Sequence, residues 1–171
     1  MSKPGTLYDQ ADSFGWISIV LHWTTAIAII ALWFIGQSMS GLPLEEVGAR
    51  RSLHVIIGLS FWILIAGRIF WRLRTKHPHA RGQTSRVHQL AKITHYLMLT
   101  ALTVMLISGP LTVWADPTHA EIAYAAKMFH SRAAFVLLLL VVLHILGTFK
   151  HLMFHDDETV ARMFLPRKKS Q

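Results

Sequence analysis

Four stretches of this chain, 16–38, 53–73, 88–114 and 128–154, each hold twenty or more mostly apolar residues. About twenty such residues in helical form match the hydrocarbon layer of a bilayer, and this constrains the fold more than any other feature. The expected fold class is an all-α membrane protein. Its connections are short, which favours antiparallel neighbours, so the spans should form a four-helix transmembrane up-down-up-down bundle. With no internal repeat, low-complexity stretch or soluble segment in the sequence, residues 1–171 are expected to make one domain. Composition agrees: 53% of residues are hydrophobic and only 15% are charged.

The few charges carry topological information. The net charge is +8, and the connection after the second span holds Arg72, Arg74, Lys76, Arg81 and Arg86 with no acid. By the positive-inside rule that connection is cytoplasmic, and four spans then place both termini on the same side. The basic tail, with Arg162, Arg167, Lys168 and Lys169, agrees, whereas the last connection carries Asp116, Glu121 and Lys127. Gly41, Pro43, Glu45, Glu46, Arg50 and Arg51 are expected to form a short turn of mixed charge between the first two spans. The pI near 10.3 would point a soluble chain towards nucleic acid, but here the basic residues flank lipid-length runs and no nucleic-acid partner is expected. The N-terminal MSKPGTLYDQADSFG is polar, with two acids, and lacks the pattern of a cleaved secretory signal. Trp16, Trp23, Trp33, Trp71 and Trp114 lie towards span ends, where amphipathic rings prefer the interface, but Trp62 falls mid-span.

Eleven histidines are many for so apolar a chain, and an ionisable residue inside a span is costly and usually functional. A lone one is ordinarily a neutral imidazole hydrogen-bonded across the bundle. Depth and phase set four apart. His130 and His144 are fourteen residues apart, so they share a helix face at an axial separation of about 21 Å. His22 lies early in the first span and His54 early in the second, which enters from the opposite side. In an antiparallel bundle His22 meets His144 in the cytoplasmic half, and His54 meets His130 in the outer half. Two stacked bis-histidine metal sites are expected.

The donor set selects the group. With no cysteine, thiolate sites, c-type attachment and cysteine-held iron–sulfur clusters are excluded. Closed zinc sites want four protein ligands and copper sites usually add Cys or Met, whereas two opposed imidazoles suit a porphyrin iron that brings its own equatorial nitrogens. Gly58 and Gly147, one turn after His54 and His144, are candidate sites of close approach by a flat macrocycle. Arg68, fourteen residues after His54, reaches the depth of the His22/His144 pair as a candidate propionate partner, and Arg50, Arg51 and Arg132 are candidates at the outer pair. Iron with both axial positions filled has no open place for oxygen, which leaves outer-sphere electron transfer. A haem-free transport or metal-handling bundle is the competing class, but broken helices or repeats are absent from the sequence.

The sequence resembles the bacterial cytochrome b561 family over nearly its full length. The matching stretches are LHW at 21–23, LHVIIG at 53–58, KITHY at 92–96, KMFH at 127–130, HILGTFKH at 144–151 and RMFLPRK near the end. The resemblance implies four spans in the bacterial inner membrane and two haem b groups on His22, His54, His130 and His144. It also implies exchange with a quinone, and the family includes superoxide oxidase, in which superoxide is oxidised to oxygen and ubiquinone reduced. On that model Lys127, with Arg50 and Arg51, would attract superoxide, while His95 and His151 would handle protons or hold ubiquinone. Other members are haem b subunits that link a partner redox enzyme to the quinone pool, and such a protein would be inert alone. His77, His79, His88, His119 and His155 are expected to be solvated.

Overall fold

The computed structural model describes residues 6–10, 13–75, 85–154 and 163–164. Among them are four helices and no strand: α1 (Trp16–Gln37), α2 (Leu44–Arg74), α3 (Ser85–Ala115) and α4 (Ala120–Phe154). All four are long and apolar enough to cross a membrane. The chain is an all-α four-helix membrane protein. The bundle has a tail end, where residues 6–10, 13–15 and 163–164 lie, and a turn end formed by the α1–α2 and α3–α4 connections.

Two helices start earlier than hydropathy indicates, α2 at 44 rather than 53 and α4 at 120 rather than 128. Glu45, Glu46, Arg50 and Arg51 therefore stand on α2, and Glu121 and Lys127 on α4, instead of in turns. Hydropathy marks what lies in lipid, whereas a helix continues as long as its backbone bonds do. The start of α2 is well signalled locally: Gly41 takes a φ of 79°, Pro43 precedes the first turn, and Glu45 and Glu46 face the positive end of the helix dipole. At 31 residues α2 is about 46 Å long. That exceeds the ~30 Å hydrocarbon layer, so its charged ends reach the headgroups.

The N-terminal segment closes the start of α1. Gly15 offers no side-chain cap, and its N–H instead donates to Asp9 Oδ1 at 2.8 Å, while Ser18 Oγ donates to Asp9 Oδ2 at 2.8 Å. The Trp16 and Ile17 amides donate to the Thr6 and Leu7 carbonyls. Four N–H groups at a helix start lack helical partners, and this segment supplies several. A Cβ at Gly15 would overlap the backbone of Leu7 and Tyr8, so the close approach requires glycine. Trp71 of α2 donates to Ser18 Oγ at 2.8 Å and stacks on Tyr8, which fastens the segment to a second helix.

Packing is inverted relative to a soluble bundle. The buried positions include Ala28, Ala101, Ala115, Ala123 and Ala126, whereas Ile27, Ile63, Ile107 and Phe135 point outwards. Between membrane helices the lipid tails remove the hydrophobic drive, so small residues that let backbones approach are what hold the interface. Ile65, Ala101, Leu102 and Leu137 form the central cluster. α1 packs on α2 and α3 on α4, and the two hairpins join along α2 and α3, while the α1 and α4 backbones hardly approach.

Trp62, the mid-span tryptophan, is explained by Pro110. Proline lacks an N–H, so the carbonyl one turn earlier, on Leu106, has no helical donor. The Trp62 indole N–H fills it at 2.9 Å. Trp62→Phe is expected to cost about 1 kcal/mol, between the ~0.6 average for intramembrane side-chain bonds and the ~1–3 of an orphaned buried group. In a Pro110→Ala background the cost should shrink, because the alanine amide serves Leu106. SDS-titration midpoints for the four variants would measure this coupling, and equal costs in both backgrounds would refute it.

Candidate functional site

The structure brings the intramembrane histidines together in two groups. At the tail end, His22 of α1 and His144 of α4 have ring centroids 6.4 Å apart, with planes at 62°. His95 of α3 joins them, 5.1 Å from His144. Arg68 of α2 donates from Nη2 to His22 Nδ1 at 2.8 Å. At the turn end, His54 of α2 and His130 of α4 are 6.2 Å apart at 81°. Ser108 of α3 lies 3.2 Å from His130 Nδ1.

Two imidazoles bound on opposite sides of one metal ion at a metal–nitrogen distance of about 2.0 Å would have centroids about 6.2 Å apart, allowing roughly 1.1 Å from nitrogen to ring centre. Both pairs lie close to that spacing, with ring planes inclined at 62° and 81°. Among the described residues no group of three or more His, Cys, Asp or Glu could hold a metal ion by itself. A metal shared by either pair must bring its remaining donors, as porphyrin iron does. Two buried side-chain atoms make no hydrogen bond of good geometry among the described residues, and one is His54 Nδ1, although the Leu32 backbone lies close enough to interact with that ring. The other is Thr25 Oγ1, one turn beyond His22. Unpaired polar atoms are costly in an apolar interior.

Glycines clear the rings, but not those singled out from the sequence. A Cβ at Gly109 would stand 3.3 Å from His130 Cε1, and one at Gly36 would stand 3.5 Å from His54 Cε1. At Gly58 a Cβ would meet only Leu32, at 3.9 Å, and at Gly147 nothing within 4 Å. Gly36, Ser108 and Gly109 were not singled out from sequence because each serves a ring on another helix. The S-G-P run at 108–110 is a detectable oddity inside an apolar span, though it does not name its target.

The other expected site residues are dispersed. Lys127 is exposed on α4, three residues before His130. Arg50 and Arg132 are exposed, and Arg51 is engaged with Asp116 at 2.5 Å, an ion pair at about half exposure that contributes about 0–1 kcal/mol. His119 is exposed, stacked on Trp114 and bonded to Thr118. His88 and His151 lie on helices but their side chains are outside the described residues, and His77, His79 and His155 are outside them altogether.

Four lipid-length helices that bring histidines of different helices into two pairs fit a membrane protein of the b-type cytochrome class. The model of the prokaryotic cytochrome b561 family matches residues 13–166, and the chain belongs to that family. It is 27% identical to cytochrome b561 homolog 2 of Escherichia coli (strain K12), over 89% of this chain and 91% of that protein. It is 23% identical to the probable superoxide oxidase CybB of Yersinia pestis, over 90% of this chain and 96% of that protein. It is a multi-pass prokaryotic membrane cytochrome that binds haem b and acts in electron transfer.

Proposed function

We propose that the protein holds two haem b groups, one between His22 and His144 and one between His54 and His130, and passes electrons from superoxide to ubiquinone. The pair spacing of 6.2–6.4 Å carries this reading. A haem held by these histidine pairs would supply one-electron redox chemistry. The positive-inside rule puts the tail end in the cytoplasm and the turn end outside.

The residues divide the remaining tasks. Lys127, Arg50 and Arg132 each lie within four residues of a turn-end histidine, where they draw an anion such as superoxide locally, although Glu45, Glu46 and Glu121 balance them over that end as a whole and Arg51 is paired with Asp116. Two superoxide anions each release one electron and leave as oxygen, while ubiquinone takes up two electrons and two protons. His95, beside the tail-end pair, and His151, in the last turn of α4, serve proton delivery or quinone binding there. Arg68 can only donate, so His22 Nδ1 accepts from it, and ligation through Nε2 requires the guanidinium to let go. A propionate carboxylate gives Arg68 a stronger partner and releases the imidazole.

Purified protein in detergent should be reduced by enzymatically generated superoxide and reoxidised by a short-chain ubiquinone analogue. Lys127→Glu should slow the first step several-fold, an effect that fades as added salt screens the field. Haems that stay oxidised under superoxide would sink the superoxide claim. If a quinol analogue reduces them instead, the protein is a haem subunit that links a partner redox enzyme to quinone.

A further inference from the structure

We propose that Ser108 is a positioning residue for the turn-end site, fixing the tautomer and orientation in which His130 offers its lone pair to a metal; this rests on the haem reading above. Ser108 is 5% exposed, deep in α3. Its hydroxyl has one hydrogen, and that hydrogen goes to the Val104 carbonyl at 2.7 Å. What faces His130 Nδ1 at 3.2 Å is therefore an oxygen lone pair to which Nδ1 donates, with the Met105 carbonyl, also on α3, as a second acceptor for the ring. A neutral imidazole that carries its proton on Nδ1 has its lone pair on Nε2. Ligating histidines generally donate their second ring N–H to such an acceptor, which fixes the tautomer and raises ligand basicity.

Two neighbours make the serine part of a seat. Gly109, the next residue, leaves the ring the space that a Cβ only 3.3 Å from Cε1 would close. Pro110 follows, and the Leu106 carbonyl it frees is tied to Trp62 at 2.9 Å. That tie holds α3 in register against α2, the helix that carries His54. The hydrogen-bond polarity is opposite at the tail end, where His22 Nδ1 faces the Arg68 donor. Loss of the Ser108 hydroxyl should therefore act on one haem only. An imidazole whose N–H loses one of its acceptors, the Met105 carbonyl remaining, is a weaker donor to ferric iron, so the potential of that haem should rise.

Ser108→Ala and Ser108→Thr, made in the full chain and purified with haem, test this. In competition with apomyoglobin, Ser108→Ala should release one of its two haems roughly 10- to 100-fold more readily than the wild type. In a spectroelectrochemical titration one midpoint should move to a more positive value while the other stays. Ser108→Thr keeps the hydroxyl and should restore both readouts. Wild-type release and midpoints in Ser108→Ala, or equal shifts of both haems, would overturn the proposal. A wild-type chain that takes up no haem would overturn it too, recognisably through failure of the haem reading, because the parent protein itself would be colourless.

Discussion

His54→Leu and His144→Leu are each expected to halve the haem content, from about two per chain to about one, and to remove different haems. Each substitution deletes one of only two axial donors, and leucine leaves an apolar group of similar bulk in its place. His54 pairs with His130 at the turn end, and His144 pairs with His22 at the tail end beside Arg68. The surviving haem should keep its low-spin bands, because no histidine is shared between pairs. A pyridine haemochrome assay counts the haems, and a redox titration of each variant identifies the survivor: the two remaining midpoints should differ from each other and each match one wild-type component. Identical survivors, or full haem content in either variant, would refute the pairing. His95→Leu is the control at the tail end. Although its ring is 5.1 Å from His144, it has no ligand role in this scheme and should leave the haem count unchanged.

The architecture was legible in the sequence because lipid leaves few choices. Four apolar runs, one acid-free basic connection and an antiparallel order put His22 level with His144 and His54 level with His130, and in the structure those rings pair at 6.4 and 6.2 Å. Arg68 is likewise at the depth that a fourteen-residue spacing from His54 implies, where it bonds His22. The sequence did not reveal where one helix touches another. Gly58 and Gly147 stood out for being one turn from a histidine on the same helix, yet the glycines that clear the rings, Gly36 and Gly109, lie on neighbouring helices. Trp62 looked misplaced in mid-span until the carbonyl freed by Pro110 was found beside it. Periodicity fixes a residue's height and face within one helix, whereas the register between helices is set by interhelical packing such as that of Ala101 and Leu102 against Leu137. The early starts of α2 and α4 were hidden for a different reason, since polar helical turns in the headgroup layer leave no hydropathy signal.

Gly109→Leu should strip the turn-end haem while sparing the other. A Cβ at 109 already stands 3.3 Å from His130 Cε1, so even alanine asks the ring to yield by a few tenths of an ångström. The three further carbons of leucine cannot fit unless His130 turns away from His54. Overpacking of this kind costs about 1–3 kcal/mol, which corresponds to a roughly 5- to 150-fold loss of affinity at that site. The apolar side chain carries no penalty in lipid, so the helix should still insert and the tail-end haem should remain. Gly36→Ala, at 3.5 Å from His54 Cε1, sits in ordinary contact and should be nearly silent. Haem counts, apomyoglobin competition and the two midpoints, measured on Gly109→Leu beside Gly36→Ala, would check this ranking. Equal haem loss in both would mean that the rings do not depend on the space these glycines leave, and a Gly109→Leu variant that lost both haems would mean that the two sites are not independent.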